Sequence, residues 1–186
     1  MADENSRVPG KRSVRFGVAM SLDGYIAGPN GEADWIVMDP EIDFGAIFAR
    51  FDTLVMGRGT FEAMQAMGGG AGAMPGVNVI VISRSMSPGE HQGVTVAADV
   101  EQVIADLKRR AGKDIWLFGG GQLFRSCLEL GLVDAVDVAV IPVLLGGGVP
   151  LLPAPAPRTS LTLTNRRVYE KSGIVALEYN VGGGSS

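Results

Sequence analysis

The chain has 186 residues, 46% hydrophobic and 19% charged, with a formal net charge of −4; this supports one domain with a sizeable core and excludes a disordered chain. The acidic balance, and the lack of any Lys/Arg cluster beyond Lys108-Arg109-Arg110, exclude a nucleic-acid-binding face. A single cysteine, Cys127, and a single histidine, His91, exclude an intramolecular disulfide framework and leave no basis for a metal centre or an ordinary Ser-His-Asp triad.

In chain order, the polar start "MADENSRVPGKRS" reads as a mobile tail over residues 1–13, without the features of a secretion signal. "VRFGVAM" (14–20) reads as a buried strand, and "SLDGYIAGPNGEADW" (21–35) as a long loop rich in turn signals. "PEIDFGAIFARF" (40–51) places Ile42, Ala46, Ile47 and Phe51 at helical spacing behind a proline. "TLVMG" (53–57) is a strand and "RGTFEAMQAM" (58–67) a helix, followed by the glycine-rich loop 68–76.

"VNVIVIS" (77–83) is the next strand, and "DVEQVIADLKRR" (99–110) a helix with an Asp N-cap and a cationic end. "DIWLF" (114–118) and "GQLFRSCLEL" (121–130) form a strand–helix pair that places Cys127 on the buried face. "AVDVAVIPVLL" (135–145) is a strand, and "LTLTNRRVYE" (161–170) with "GIVALEYNV" (173–181) a closing hairpin. Residues 182–186 read as a second tail. The alternation predicts one α/β domain over 14–181: a mainly parallel sheet with helices on both faces and a C-terminal antiparallel hairpin. No apolar run approaches the roughly 20 residues of a membrane span, so neither a membrane nor a nucleic acid is expected as a partner, and a reduced, cytoplasmic setting fits.

Ligands of open α/β sheets gather where strands end and helices begin, and three such junctions stand out. "FGGGQL" puts Gly119, Gly120 and Gly121 before a helix that continues with Gln122 and Leu123; it is either a plain turn or a phosphate cradle, because glycine lets an anion approach a helix N-terminus. "VMGRGTFE" supplies Gly57, Arg58 and a potential cap, Thr60. "VISRS" ends in Ser83 and Arg84, a hydroxyl and a guanidinium suited to a phosphate. Each junction alone is equally a surface turn; together they describe an extended phosphate-bearing ligand.

The ordered set "VAMSLDGYIAG", "VMGRGTFE", "NVIVISRS", "IWLFGGGQLF" and "GLVDAVDVAVIPVLLGGGVPLL" resembles the dihydrofolate reductase fold, in the branch containing the reductase domain of riboflavin biosynthesis, and covers nearly the whole chain. The resemblance implies NADPH bound across the sheet. Arg58 and Thr60 would meet the adenosine-phosphate end, with Ser83 and Arg84 at the 2′-phosphate. Gly119, Gly120, Gly121, Gln122 and Leu123 would hold the pyrophosphate, while Ala19 and Ile26 flank the nicotinamide. It further implies hydride transfer to a pyrimidine- or pterin-like heterocycle, resembling the 5-amino-6-(5-phosphoribosylamino)uracil reductase step, and a homodimer.

Asp23 of "SLDG" is a candidate to orient substrate or relay a proton, or else an Asx-turn residue. Trp35 either stacks on a planar substrate or covers the core. Asp39, Glu41 and Asp43 lie near the position of the folate-reductase acid without aligning to it, and could instead form the acidic first turn of a helix. Val77 stands where folate reductases grip the glutamate tail with Arg, and Gly17 where the riboflavin-pathway enzymes carry Lys. The alternative is a non-catalytic nucleotide-binding protein that keeps the fold.

Overall fold

The computed structural model describes residues 11–68, 76–89 and 91–182. Most of the expected N-terminal tail, the end of the C-terminal one and the glycine-rich loop over 69–75 lie outside these residues.

The elements follow as β1 (Val14–Ser21), β2 (Tyr25–Ala27), α1 (Phe44–Ala49), β3 (Phe51–Gly57), α2 (Arg58–Ala66), β4 (Asn78–Ile82) and β5 (Val94–Ala97). Then come α3 (Val100–Lys108), β6 (Asp114–Gly119), α4 (Gly121–Glu129), β7 (Ala135–Ile141), β8 (Val149–Pro150), β9 (Leu161–Tyr169) and β10 (Ile174–Val181). Eight strands form one sheet in the order β5-β4-β3-β6-β1-β7-β10-β9, and β2 pairs with β8 in a two-stranded sheet. The six strands from β5 to β7 run parallel; β10 is antiparallel to both β7 and β9.

Strands buried on both faces need apolar residues of both parities, and β3, β4 and β6 carry them. Val55, Ile80, Ile115 and Leu117 join Val14 and Phe16 of β1 beneath α3 and α4, where Ile104, Leu107, Phe124 and Cys127 close the larger core. Phe16 and Phe124 stack there with centroids 3.8 Å apart. The other parity, Leu54, Met56, Val79 and Val81, packs with Phe61 of α2 and with Trp116 and Phe118. Burial pushes the Cys127 thiol up to about 12, so it is packing and not a nucleophile.

Several boundaries differ from the expected ones, each for a local reason. α1 begins only at Phe44, because Asp43 is its N-cap, accepting from the Ala46 N–H at 2.8 Å. Phe51 starts a strand instead of ending the helix. The strand expected over 135–145 stops at Ile141, since Pro142 offers no N–H and those of Leu145 and Gly146 turn to Asp23. β5 was not expected: four residues at an edge, bonded on one side only, leave little pattern to read. His91 is half-buried and sits edge-on to Phe61 at 5.0 Å.

Arg12 and Ser13, assigned to the tail, are anchored. Arg12 is 4% exposed; its guanidinium donates to the Lys113 carbonyl at 2.7 Å, to Thr53 Oγ1 at 2.9 Å and to Asp52. It ties the amino ends of β1, β3 and β6 together.

Candidate functional site

Because β4, β3, β6 and β1 are consecutive and parallel, their carboxyl ends share one edge, and all three glycine- or arginine-bearing junctions arrive there. The four helices of the described residues divide sharply at their N-termini. α1 and α3 are capped by Asp43 and Asp99. α2 and α4 have glycine N-caps, Gly57 and Gly120, and no side-chain cap at all. A helix start has four N–H groups without intrahelical partners and a partial positive charge. The two that remain uncapped by side chains stand at the ends of adjacent strands, where Met56 pairs with Gly119.

Thr60 does not cap α2; it faces the other junction. A Cβ on Gly120 would lie 3.3 Å from Thr60 Oγ1, and one on Gly119 3.6 Å from it. Gly119 has φ +132°, a conformation side chains rarely adopt, and a cis peptide joins it to Gly120. Gly121 serves packing: a Cβ there would meet the Pro150 carbonyl oxygen at 2.7 Å, so the 150–153 segment can lie against the start of α4. Gln122 is exposed in the first turn, and Leu123 is half-buried against the larger core.

Arg58 reaches towards the next strand end, donating to Ser85 Oγ at 2.9 Å and to Glu62 at 2.6 Å. Ser83 Oγ accepts from the N–H groups of Ser85 and Met86. Ser85, missed in the sequence, thus links two of the predicted junctions; the signal was the second hydroxyl of "SRS". Arg84 is exposed beside them.

On β1, Ala19 is half-buried and in register with Ala139 of β7, which pairs with Ala176 of β10. Three methyl groups in a row across three strands, all half-buried, make a low floor on this sheet face, the trough. One row further on, Gly17 aligns with Asp137 and Glu178. Arg15 grips Asp137 with two bonds of 2.8 and 2.7 Å and reaches Glu178 at 3.1 Å; Arg50 adds a bond to Glu178 at 3.3 Å. Burial raises the Asp137 pKa against the pull of Arg15. Trp35 packs with Ile36 and Ile42 against Ile141, Tyr169 and Ile174 in the cluster that includes Ala19. It borders the trough while covering this part of the core.

Asp23 is exposed, and its carboxylate accepts from Ser21 Oγ at 2.7 Å, Gly146 N–H at 2.7 Å and Leu145 N–H at 3.1 Å. These bonds, that of Ser21 foremost, hold its pKa at about 2. It is ionised at neutral pH and fastens the 22–24 turn, which leads into β2 and Ile26, to the 142–148 loop. A carboxyl with a lowered folded pKa contributes its anchoring above its ordinary value and loses it as pH falls through the folded one. Protection of the Leu145 and Gly146 amides from hydrogen exchange should therefore hold from pH 8 to about 4. Asp23→Ala should remove it at every pH; unchanged protection in that variant would disprove the anchor.

The three acids of the 39–43 stretch are all engaged. Asp39 is buried and accepts from the N–H groups of Glu41 and Ser172, Ser172 doing most to lower its pKa. Glu41 pairs with Lys171 at 3.1 Å, and Asp43 is the cap of α1. Among the described residues, no group of three or more His, Cys, Asp or Glu side chains could hold a metal ion, and no helix is long and apolar enough to cross a membrane.

Residues 12–175 match the RibD C-terminal domain family. An uncharacterized protein of Bacillus subtilis, YyaP, is 32% identical over 93% of this chain and 97% of its own length. The riboflavin biosynthesis protein RibD of Corynebacterium ammoniagenes is 26% identical over 78% of this chain and 48% of its own. Among solved structures, a Shewanella sp. PV-4 protein named for riboflavin biosynthesis superposes with a TM-score of 0.79 at 28% identity, covering 92% of this chain and 99% of that one. A dihydrofolate reductase of Enterococcus faecalis, solved with NADP(H), superposes with a TM-score of 0.69 at 20% identity, covering 92% and 97%, which establishes the dihydrofolate reductase-like fold.

Proposed function

We propose, for a chain that belongs to the RibD C-terminal domain family, an NADPH-dependent reductase that delivers hydride to a pyrimidine- or pterin-like heterocycle. The observation that carries this reading is the pair of side-chain-uncapped helix starts, α2 and α4, side by side at the carboxyl edge of the sheet. Glycine where a stabilising cap would otherwise stand, with Thr60 of α2 against the Gly119–Gly120 turn, fits a diphosphate bound between two helix N-termini. Arg58, Ser83, Ser85 and Arg84 supply a cation and hydroxyl cluster one strand away, where a ribose 2′-phosphate would be recognised.

The cofactor, when bound, supplies the hydride. The chain's own part is to orient and enclose. Gly119–Leu123 and Thr60 hold the diphosphate, and Ala19 and Ile26 flank the nicotinamide. The Asp23-anchored loop excludes water, and the trough along Ala19, Ala139 and Ala176 receives the heterocycle. We place the protein in the cytoplasm, where its one cysteine stays reduced.

Calorimetry should give an affinity for NADPH about 10- to 100-fold above that for NADH, the worth of one charge-assisted contact of roughly 1.5–3 kcal/mol. Arg58→Ala and Arg84→Ala should each narrow that ratio without weakening NADH. Equal affinities for the two cofactors in the unmodified protein would overturn the 2′-phosphate assignment. Finding no nucleotide binding at all would reject the reductase reading as a whole, and nucleotide binding without turnover of any heterocycle would favour the non-catalytic alternative.

We also propose a symmetric homodimer joined at β9. This edge strand is exposed from Leu161 to Val168, with Leu161, Leu163 and Val168 44%, 46% and 52% accessible. Unpaired edges of this kind invite a second strand. Light scattering at micromolar concentration should give twice the chain mass, and Leu163→Lys should halve it; a chain-mass particle that persists on concentration would exclude the dimer.

A further inference from the structure

The trough carries one arrangement that the reductase reading does not require. Gly17, in the middle of β1, has the indole of Trp116 lying directly on it. Trp116 Nε1 donates to the Gly17 carbonyl at 3.0 Å, and a Cβ on residue 17 would lie 2.6 Å from that nitrogen. Gly17 is thus the seat of the indole, and no side chain fits there while the indole keeps its position.

From this seat Trp116 extends an aromatic wall, with Phe48 of α1 at 5.5 Å on one side and Phe118 at 5.2 Å on the other. Phe48 remains 37% exposed. The wall stands at Gly17, one row from the alanines on the same face of β1, and its Phe118 end adjoins Gly119, where the proposed cofactor cradle begins. A flat floor of methyl groups beside an aromatic wall suits a planar ring by shape and by stacking.

The carboxylates here are already matched. Arg15 and Arg50 meet Asp137 and Glu178. Arg167, in register with Ala176, donates to the Glu41 carbonyl and lies over the Tyr169 ring at 4.6 Å. A phosphate entering this end would meet two carboxylates and find each nearby guanidinium engaged, at the cost of its own desolvation.

We propose that the Gly17–Trp116 pair determines specificity in this site, committing the trough to a planar heterocycle that carries no phosphate. This rests on the reductase reading for the trough being a substrate site. Gly17 acts through Trp116 as a positioning residue: it has no side chain to touch a ligand, and it allows the indole to do so.

The test uses the full-length chain carrying Trp35→Phe, which keeps a ring at the trough border and leaves Trp116 as its one tryptophan, so that Trp116 emission reports the trough; neopterin calorimetry on the unsubstituted chain checks that this background binds alike. Neopterin and neopterin 3′-monophosphate are a matched pair differing only in the phosphate. Neopterin should quench saturably and bind at least tenfold tighter than its monophosphate. Gly17→Lys, which displaces the indole and adds one positive charge to a row whose two carboxylates already have partners, should shift the Trp116 emission to the red and reverse that preference, while NADPH affinity by calorimetry stays within twofold. Absence of saturable quenching by neopterin, or monophosphate binding as tight as or tighter than neopterin in the Gly17 protein, overturns the proposal; neither outcome needs the lysine variant to fold. Loss of NADPH binding in the unsubstituted chain would count against the reductase reading, a result separate from these fluorescence titrations.

Discussion

Gly120→Val should abolish measurable NADPH binding, at least a hundredfold loss, while the protein stays folded. The two parts of that expectation have different origins. Gly120 has φ −88°, an ordinary value for an L residue, and the nearest atom to an added Cβ is Thr60 Oγ1 at 3.3 Å, so the backbone accepts a side chain with a small adjustment. The branched side chain, however, would project at the start of α4, where an anion must come within hydrogen-bonding distance of backbone N–H groups. Calorimetry paired with a melting curve checks both parts. A variant that melts normally and still binds NADPH would show these glycines to be a turn and nothing more. Gly121→Val provides the contrast: its Cβ would strike the Pro150 and Leu151 carbonyl oxygens, and should therefore lower the melting temperature as well.

The largest stability effect should come from the opposite end of the sheet. Arg12→Ala leaves Asp52 and Thr53 without the guanidinium that joins them, and frees the Lys113 carbonyl. Breaking a buried ion pair by removing one partner costs about 3–5 kcal/mol. Asp52 keeps 32% of its side-chain surface in water, which favours the lower figure, about 3 kcal/mol. For a domain of this size that is a fall in melting temperature of roughly 6–12 °C. Arg12→Lys should recover part of it, since an ammonium lacks the planar fork that serves three acceptors. A fall under about 2 °C in Arg12→Ala would show the node to be ornamental.

What the sequence made legible follows how local each signal was. The parallel strands β1, β3, β4 and β6 announced themselves because burial on both faces gives short apolar runs. The edge that carries the candidate site followed from the rule that ligands collect where such strands end. Arg58, Ser83 and the three glycines each lie within a few residues of a strand end, and the fold brings those junctions to one edge. The trough was not legible. Gly17 and Trp116 are 99 positions apart, and nothing in "RFGVA" or "DIWLF" alone says that the indole of one lies on the backbone of the other. Asp23 was half legible: the turn in "SLDG" could be read, but the N–H groups that hold its carboxylate belong to Leu145 and Gly146, 122 and 123 positions away. The acidic stretch 39–43 suggested a first helical turn; only Asp43 caps the helix, while Asp39 and Glu41 hold the turn before β10.

The position of β1 has a consequence for how the protein is made. It is a middle strand, yet its two neighbours, β6 and β7, begin at Asp114 and Ala135. A ribosome adding about 5–20 residues per second needs roughly 6–25 s to pass from the start of β1 to the end of β7. For most of that interval, until β6 is complete at Gly119, the apolar "VRFGVAM" segment has neither neighbour to pair with, and until Ile141 it still lacks one of the two. A nascent chain arrested near residue 110 should therefore be protease-sensitive and a ready client for chaperones that recognise extended hydrophobic segments. Protection should appear in a single step only once β7 has left the exit tunnel. A slowly translated message would lengthen this unprotected interval, so the yield of soluble protein should depend on how fast the 20–141 portion is translated as well as on the stability of the finished fold.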